Sequence, residues 1–181
     1  MTEETPWLRY EVPGSTCATV VTKPAVVSGL LKKAKNPLIV VAHTIDMPDM
    51  KARNPTDIII DIANSTGTPV IVTPSAAPSF RKKGYSPIKV LSLMETGARL
   101  NDPGWSVSGG PERHDLVLFI GIAYGTGWLL QSGLKSFAPK GMRFISIDRH
   151  YQPHCNLSFP NLQEETWLLQ LEAIAEEVSK G

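Results

Sequence analysis

The stretch DLVLFIGIAYGTGWLLQSGLKSF, residues 115–137, decides how the rest of the chain is read. It opens with an apolar run, breaks at Gly121, Gly125 and Gly127, and resumes with helix-like spacing. Strand, glycine turn and helix is the shape of a dinucleotide half-site, because amides at a helix N-terminus attract phosphate and glycine lets the backbone approach it. The glycine order differs from the usual fingerprint. That fingerprint is G-x-G-x-x-G, whereas this segment reads G-x-x-x-G-x-G, and an ordinary strand-to-helix turn needs glycine as well. Two readings follow: a pyrophosphate cradle, or a scaffold turn of similar shape.

The neighbouring segments carry the same alternation outward. Arg143 to Asp148 (RFISID) reads as the next strand, and Glu164 to Lys180 as a C-terminal helix. Towards the N-terminus, Lys23 to Lys35 places Val26, Val27, Leu30, Leu31 and Ala34 at i, i+3, i+4 spacing opposite lysines, an amphipathic helix stopped by Asn36-Pro37. Leu38 to His43 is a short, β-branched apolar run, the pattern of a strand covered on both faces. Thr56 to Ser65 returns to helical spacing behind Asn54-Pro55, Gly67 ends it, and Val70 to Thr73 gives another strand.

Pro74 to Tyr85 is small, basic and turn-forming, so it reads as a loop; a helix from Ile88 to Leu100 follows Ser86-Pro87, and Asn101 to His114 is a second long loop. Helices alternating with buried-type strands predict a three-layer, Rossmann-like α/β fold: a mainly parallel sheet with helices on both faces. Residues 1–181 read as one domain, with an irregular segment over 1–18.

Composition narrows the function classes. The chain is 42% hydrophobic and 19% charged with a net charge of +1, which suggests neither disorder nor a nucleic-acid footprint. No apolar run approaches the roughly 20 residues a membrane-spanning helix needs, and the polar N-terminus is unlike an export signal. Cys17 and Cys155 are the only cysteines, which fits a reducing cytoplasm and falls short of the four thiolates of an iron–sulfur cluster. Metal redox chemistry would then belong to a partner.

In parallel sheets ligands sit at the carboxyl ends of the strands, here His43 to Asp49, Thr73 to Arg81, Gly121 to Gly127 and Asp148 to His154. Asp148 ends its strand near the roughly 20-residue spacing at which an acidic residue takes a ribose in dinucleotide sites. It is equally suited to ordering the next loop. Thr73, Ser75 and Tyr124 are placed to line a cofactor ring. Asp148, His150, His154 and Cys155 resemble a metal set, but Pro153 argues against a shared helix face, and in an extended chain residues four apart lie about 13 Å from each other. Arg81, Lys82 and Lys83 read as a solvated basic edge, Trp105 as a loop aromatic suited to a partner, and Trp167 as core. His43 and His114 have no partners for a triad, and no G-x-S-x-G elbow is present.

Together, KPAVVSGLLKKAKNPLIVV (23–41), VIVTPSAAPSF (70–80), HDLVLFIG (114–121) and LKSFAPKGMRFISIDRHYQPHCNLSFPNL (134–162) resemble the epsilon-subunit family of the archaeal acetyl-CoA decarbonylase/synthase complex. The most specific parts are I-S-I-D-R-x-Y and S-F-x-N-L. The resemblance implies a domain like the FAD- or NAD-binding central domain of thiamine-diphosphate enzymes. It also implies a cytoplasmic complex of one-carbon metabolism whose nickel–iron–sulfur clusters lie on the carbon monoxide dehydrogenase large (alpha) subunit.

The expected role is therefore an accessory subunit that has no catalysis or metal of its own, stabilises the large subunit and assists electron transfer to FAD. A homo-oligomer is compatible with it. The alternative is an independent FAD- or NAD-binding oxidoreductase, with Gly121, Gly125 and Gly127 facing pyrophosphate, Asp148 on the ribose, and Thr73, Ser75 or Tyr124 beside the ring.

Overall fold

The computed structural model describes residues 16–45 and 53–180. In chain order the elements are β1 (Thr19–Val20), α1 (Pro24–Lys33), β2 (Pro37–Val41), a 3-10 turn (His43–Ile45), α2 (Pro55–Thr66), β3 (Val70–Val72), α3 (Ala77–Lys82), β4 (Lys89–Val90), α4 (Leu93–Asn101), β5 (Leu116–Ile120), α5 (Tyr124–Phe137), β6 (Arg143–Ser146), β7 (Leu157–Ser158) and α6 (Glu164–Ser179). Of the irregular segment expected over 1–18, residues 1–15 lie outside the described residues, as do 46–49 of the stretch His43 to Asp49.

The seven strands among the described residues form one sheet in the order β1-β7-β6-β5-β2-β3-β4, and every pairing is parallel. With β1 set aside, this is the doubly wound order 3-2-1-4-5-6, whose direction of winding reverses between β2 and β5. These two strands pair over their full length, from Pro37 opposite Leu116 to Val41 opposite Ile120.

Alternation of side chains along the strands divides the core in two. Ile39, Val41, Leu118, Ile120 and Ile145 face one layer, where they meet Val27 and Leu31 of α1, Ile58 and Ile62 of α2, Phe80 of α3 and Trp167 and Leu171 of α6. Leu38, Val40, Val117, Phe119 and Phe144 face the other, against Leu100 of α4 and Leu130 and Leu134 of α5. The central strands are buried on both faces, which is why their sequence is continuously apolar rather than alternating.

Three readings need correction. The expected loop from Pro74 to Tyr85 contains α3, whose Pro78 lies in its first turn and whose Phe80 is buried. The helix expected from Ile88 begins only at Leu93. Its first residues instead form β4, an exposed edge strand, and the helix is capped by Ser92 Oγ, which accepts from the amide of Glu95 at 3.1 Å. The strand expected to reach Asp148 ends at Ser146, leaving Asp148 on the following turn.

Candidate functional site

The crevice at the reversal point is built by the carboxyl ends of β2, β5 and β6. Gly121 follows β5 with φ of 72°, a left-handed conformation that favours glycine. A Cβ at this position would lie 2.5 Å from the Ala42 carbonyl oxygen and 2.9 Å from the Ile45 nitrogen. Glycine is needed here to let the end of β5 pass the end of β2, where Thr44 N–H donates to the Gly121 carbonyl at 3.0 Å.

The amides of this turn already have an acceptor. Gly121 N–H donates to Asp148 Oδ1 at 2.5 Å and Ile122 N–H to the same oxygen at 3.3 Å, while Ser146 Oγ donates to Oδ2 at 3.4 Å. Asp148 is buried. Desolvation pushes its carboxyl up to about 7, against the opposing pull of the Gly121 and Ile122 amides and the Ser146 hydroxyl. Its carboxylate fills the anion position that a diphosphate would take at these amides, so the turn itself does not fit that group. The first turn of α5 has no side-chain cap, and Gly125 there is exposed with open space where a Cβ would stand. Gly127 is constrained differently: a Cβ would lie 2.9 Å from Gln152 Nε2, the atom that donates to the Tyr124 carbonyl at 3.2 Å.

A cavity of about 250 Å3 opens here, with Thr44, Gly121, Tyr124, Asp148, Arg149 and His150 in its wall. It is below the roughly 300–1,000 Å3 usual for ligand pockets. Of the residues singled out in the sequence it brings together Gly121, Tyr124, Asp148 and His150, with Trp167 beside them. Gly125, Gly127, Thr73 and Ser75 are not in its wall. Thr73 is buried at the end of β3, where its hydroxyl lies 3.2 Å from Ser75 Oγ and its carbonyl accepts the amides of Ala76 and Ala77 at 3.0 Å. That arrangement starts α3.

Thr44 and Arg149 also line this wall; both lie in the strand-end stretches His43 to Asp49 and Asp148 to His154, where the sequence assigns neither of them a role. Arg149 pairs with Glu164 at 2.9 Å, tying the start of α6 to the crevice rim. The I-S-I-D-R motif held the signal for Arg149, since it follows Asp148 directly. For Thr44 the signal is its place at the carboxyl end of β2, with nothing in its own residue type to mark it. The Tyr124 and His150 rings stand T-shaped to one another with centroids 6.4 Å apart, and those of Trp128 and His154 do the same at 4.7 Å. Among the described residues no three His, Cys, Asp or Glu side chains form a group that could hold a metal. Trp105 is half-buried against its own fold, its ring 5.8 Å from that of His114. Trp167 is core, and its indole N–H donates to the Ile147 carbonyl at 2.8 Å.

A family model described as CO dehydrogenase beta subunit/acetyl-CoA synthase epsilon subunit matches residues 1–178. The chain belongs to this family. Among its relatives, the acetyl-CoA decarbonylase/synthase complex subunit epsilon of Methanothermobacter thermautotrophicus is 29% identical over 92% of each chain. That of Methanothrix soehngenii is 30% identical over 87% of this chain and 81% of its own, and subunit epsilon 1 of Archaeoglobus fulgidus 31% over 82% and 77%.

A candidate thiamin diphosphate-dependent enzyme from Mycobacterium smegmatis superposes on 94% of this chain and 30% of its own, at 14% identity and a TM-score of 0.45. This epsilon-family chain has the Rossmann-like parallel sheet that the sequence pattern implied. Among its described residues no helix is long and apolar enough to cross a membrane.

Proposed function

We propose that this chain is a binding subunit of a cytoplasmic acetyl-CoA decarbonylase/synthase complex, docking on and stabilising the carbon monoxide dehydrogenase large (alpha) subunit rather than turning over substrate itself. The observation that carries this reading is the family match over residues 1–178, together with relatives that are named as epsilon subunits over most of their length. The crevice supports it. A turn whose amides are held by the chain's own Asp148 is suited to rigid support of β5 and β6, and less to an independent oxidoreductase.

The test is association of the purified full chain with the large subunit, measured with the heat stability of that subunit. Micromolar or tighter binding and a raised melting temperature for the large subunit support the reading. No association at millimolar concentration overturns it.

A second reading has one observation in its favour. The first turn of α5 carries no side-chain cap and opens beside Tyr124, so it could hold an anionic part of FAD, or of NAD, next to the partner's redox chain. Here the protein would assist electron transfer to FAD. Absorbance of co-purified flavin, and titration with FAD and NAD against the Gly125→Val variant, test it; silence of the wild type at millimolar ligand removes it.

A further inference from the structure

The end of the sheet opposite the crevice is formed by the amino ends of β2, β5 and β6. Two concavities of about 350 and about 400 Å3 open there and share Asp115 and Gly141 in their walls. Lys35, Arg113 and Lys140 line the first, and Lys33 and Arg143 the second. All five residues are exposed. No carboxylate among the described residues lies within ion-pairing distance of any of them; the ion pairs belong to Arg53, Lys83, Arg99, Arg149 and Lys180. The acids in these walls are Glu112 and Asp115, whose carboxylate also accepts the amides of Lys35 and Asn36 at 2.8 and 2.9 Å, so the five cations outnumber the opposing charges. On a chain whose net charge is +1, positive charge is concentrated at this end.

Helix dipoles explain part of the concentration, because cations are favoured at helix C-termini and Lys33 closes α1. They do not explain Arg113, in the loop before β5, or Arg143, the first residue of β6, since neither closes a helix. These cations do not order the fold by pairing within it. Unpaired charges of one sign around a concave surface attract and orient a surface of the opposite sign.

We infer that this amino-end face, carrying Lys33, Lys35, Arg113, Lys140 and Arg143 around Gly141, is the surface that docks an acidic face of the partner subunit. The inference rests on the reading of the chain as a docking subunit. The five cations are divided between two concavities instead of converging on one point, which suits an extended acidic protein surface better than a single phosphate. It also leaves the crevice, at the other end of the strands, uncovered by this contact.

The experiment measures binding kinetics of the full chain and the carbon monoxide dehydrogenase large subunit over a salt series. It compares wild type with Arg113→Glu/Arg143→Glu and, as a control on the exposed face of α5, Leu129→Glu/Phe137→Glu, after thermal melts have shown that each variant folds. The charge reversal is expected to weaken binding about tenfold or more, chiefly through the association rate, and to flatten the salt dependence.

A folded charge-reversal variant that binds within about twofold of wild type overturns the inference while the docking reading stands. Loss of binding in the α5 variant with the charge reversal unaffected does the same and moves the contact to α5. Failure of the wild type to bind overturns the docking reading, and this inference with it. If the glutamate pair does not fold, Arg113→Gln/Arg143→Gln replaces it and must weaken binding in the same direction.

Discussion

The amide of Gly121 and the carboxylate of Asp148 are joined across the ends of β5 and β6 at 2.5 Å, so one side chain does inside the fold what a bound anion would do from outside. The charge is costly there, and the raised Asp148 pKa, about 7, expresses that cost. A carboxyl whose folded pKa lies above its unfolded value adds stability fully at pH below the unfolded value of 3.8 and loses it as pH rises through the folded value. The asparagine oxygen of Asp148→Asn can still accept both amides without a charge. We expect this variant to match wild type at pH 4 and to melt higher at pH 8, by about 2–4 °C for each kcal/mol relieved. Melting curves between pH 4 and pH 8 check this; equal melting temperatures at pH 8 would show that the charge is not held at the turn.

The three glycines of the quoted segment should separate in their response to a methyl group. Gly121 combines positive φ with backbone atoms 2.5 and 2.9 Å from the new Cβ, so neither strand end can yield cheaply, and Gly121→Ala should cost about 3 kcal/mol. Gly127→Ala meets side-chain rather than backbone atoms, Gln152 Nε2 at 2.9 Å and Ile122 Cγ2 at 3.2 Å, and has no positive φ, so it should cost less. Gly125→Ala meets nothing within 4 Å and sits in a helix, so it should stabilise by about 0.5 kcal/mol. Urea midpoints of the three variants give the order directly. A neutral Gly121→Ala would contradict the close approach of β5 to β2.

What the sequence made legible follows from length and burial. β2, β3, β5 and β6 are central and largely buried, so their apolar residues announce them, and α1, α2, α5 and α6 keep the helical spacing that packs one face on the sheet. β1, β4 and β7 are two residues long and carry no periodicity. Ser86-Pro87 reads as a cap and first helical position and so hides β4 inside a helix, although Ser92 and Glu95 form the S-x-x-E signature that marks the true start. Turn-forming residues concealed α3, a helix of six residues. Asp148 was visible as a strand-end acid, but the choice between holding a ribose and ordering a turn depends on where Gly121 N–H points, which no spacing encodes.

The two cysteines should differ in reactivity. Cys155 is buried, and burial foremost, with the Asp148 charge adding to it, pushes its thiol well above the ordinary range, while Cys17 is exposed. A thiol-reactive disulfide added to the native protein at pH 8 should label Cys17 promptly and Cys155 only on unfolding. Cys17→Ser should therefore abolish the prompt phase. Rapid labelling of both would mean that the edge formed by β1 and β7 opens readily.

His114 gives the opposite pH response from Asp148 and can be isolated by mutation. It is buried; its Nε2 accepts the Val107 amide at 3.1 Å, which places the proton on Nδ1, facing the Asn36 carbonyl at 3.0 Å. Desolvation lowers its pKa more than the Asn36 bond and the Asp115 charge raise it. A base with a depressed folded pKa contributes stability above its unfolded value of 6.5, and that stability is lost as pH falls through the folded pKa, when Nε2 takes a proton and must release Val107. His114→Ala leaves the Val107 amide without its acceptor and should cost about 2 kcal/mol at pH 8. The same variant should lose less stability than wild type between pH 6.5 and pH 5, because it has no imidazole to protonate. Denaturant titrations at both ends of that range decide it. An unchanged acid slope in His114→Ala would place the titrating group elsewhere.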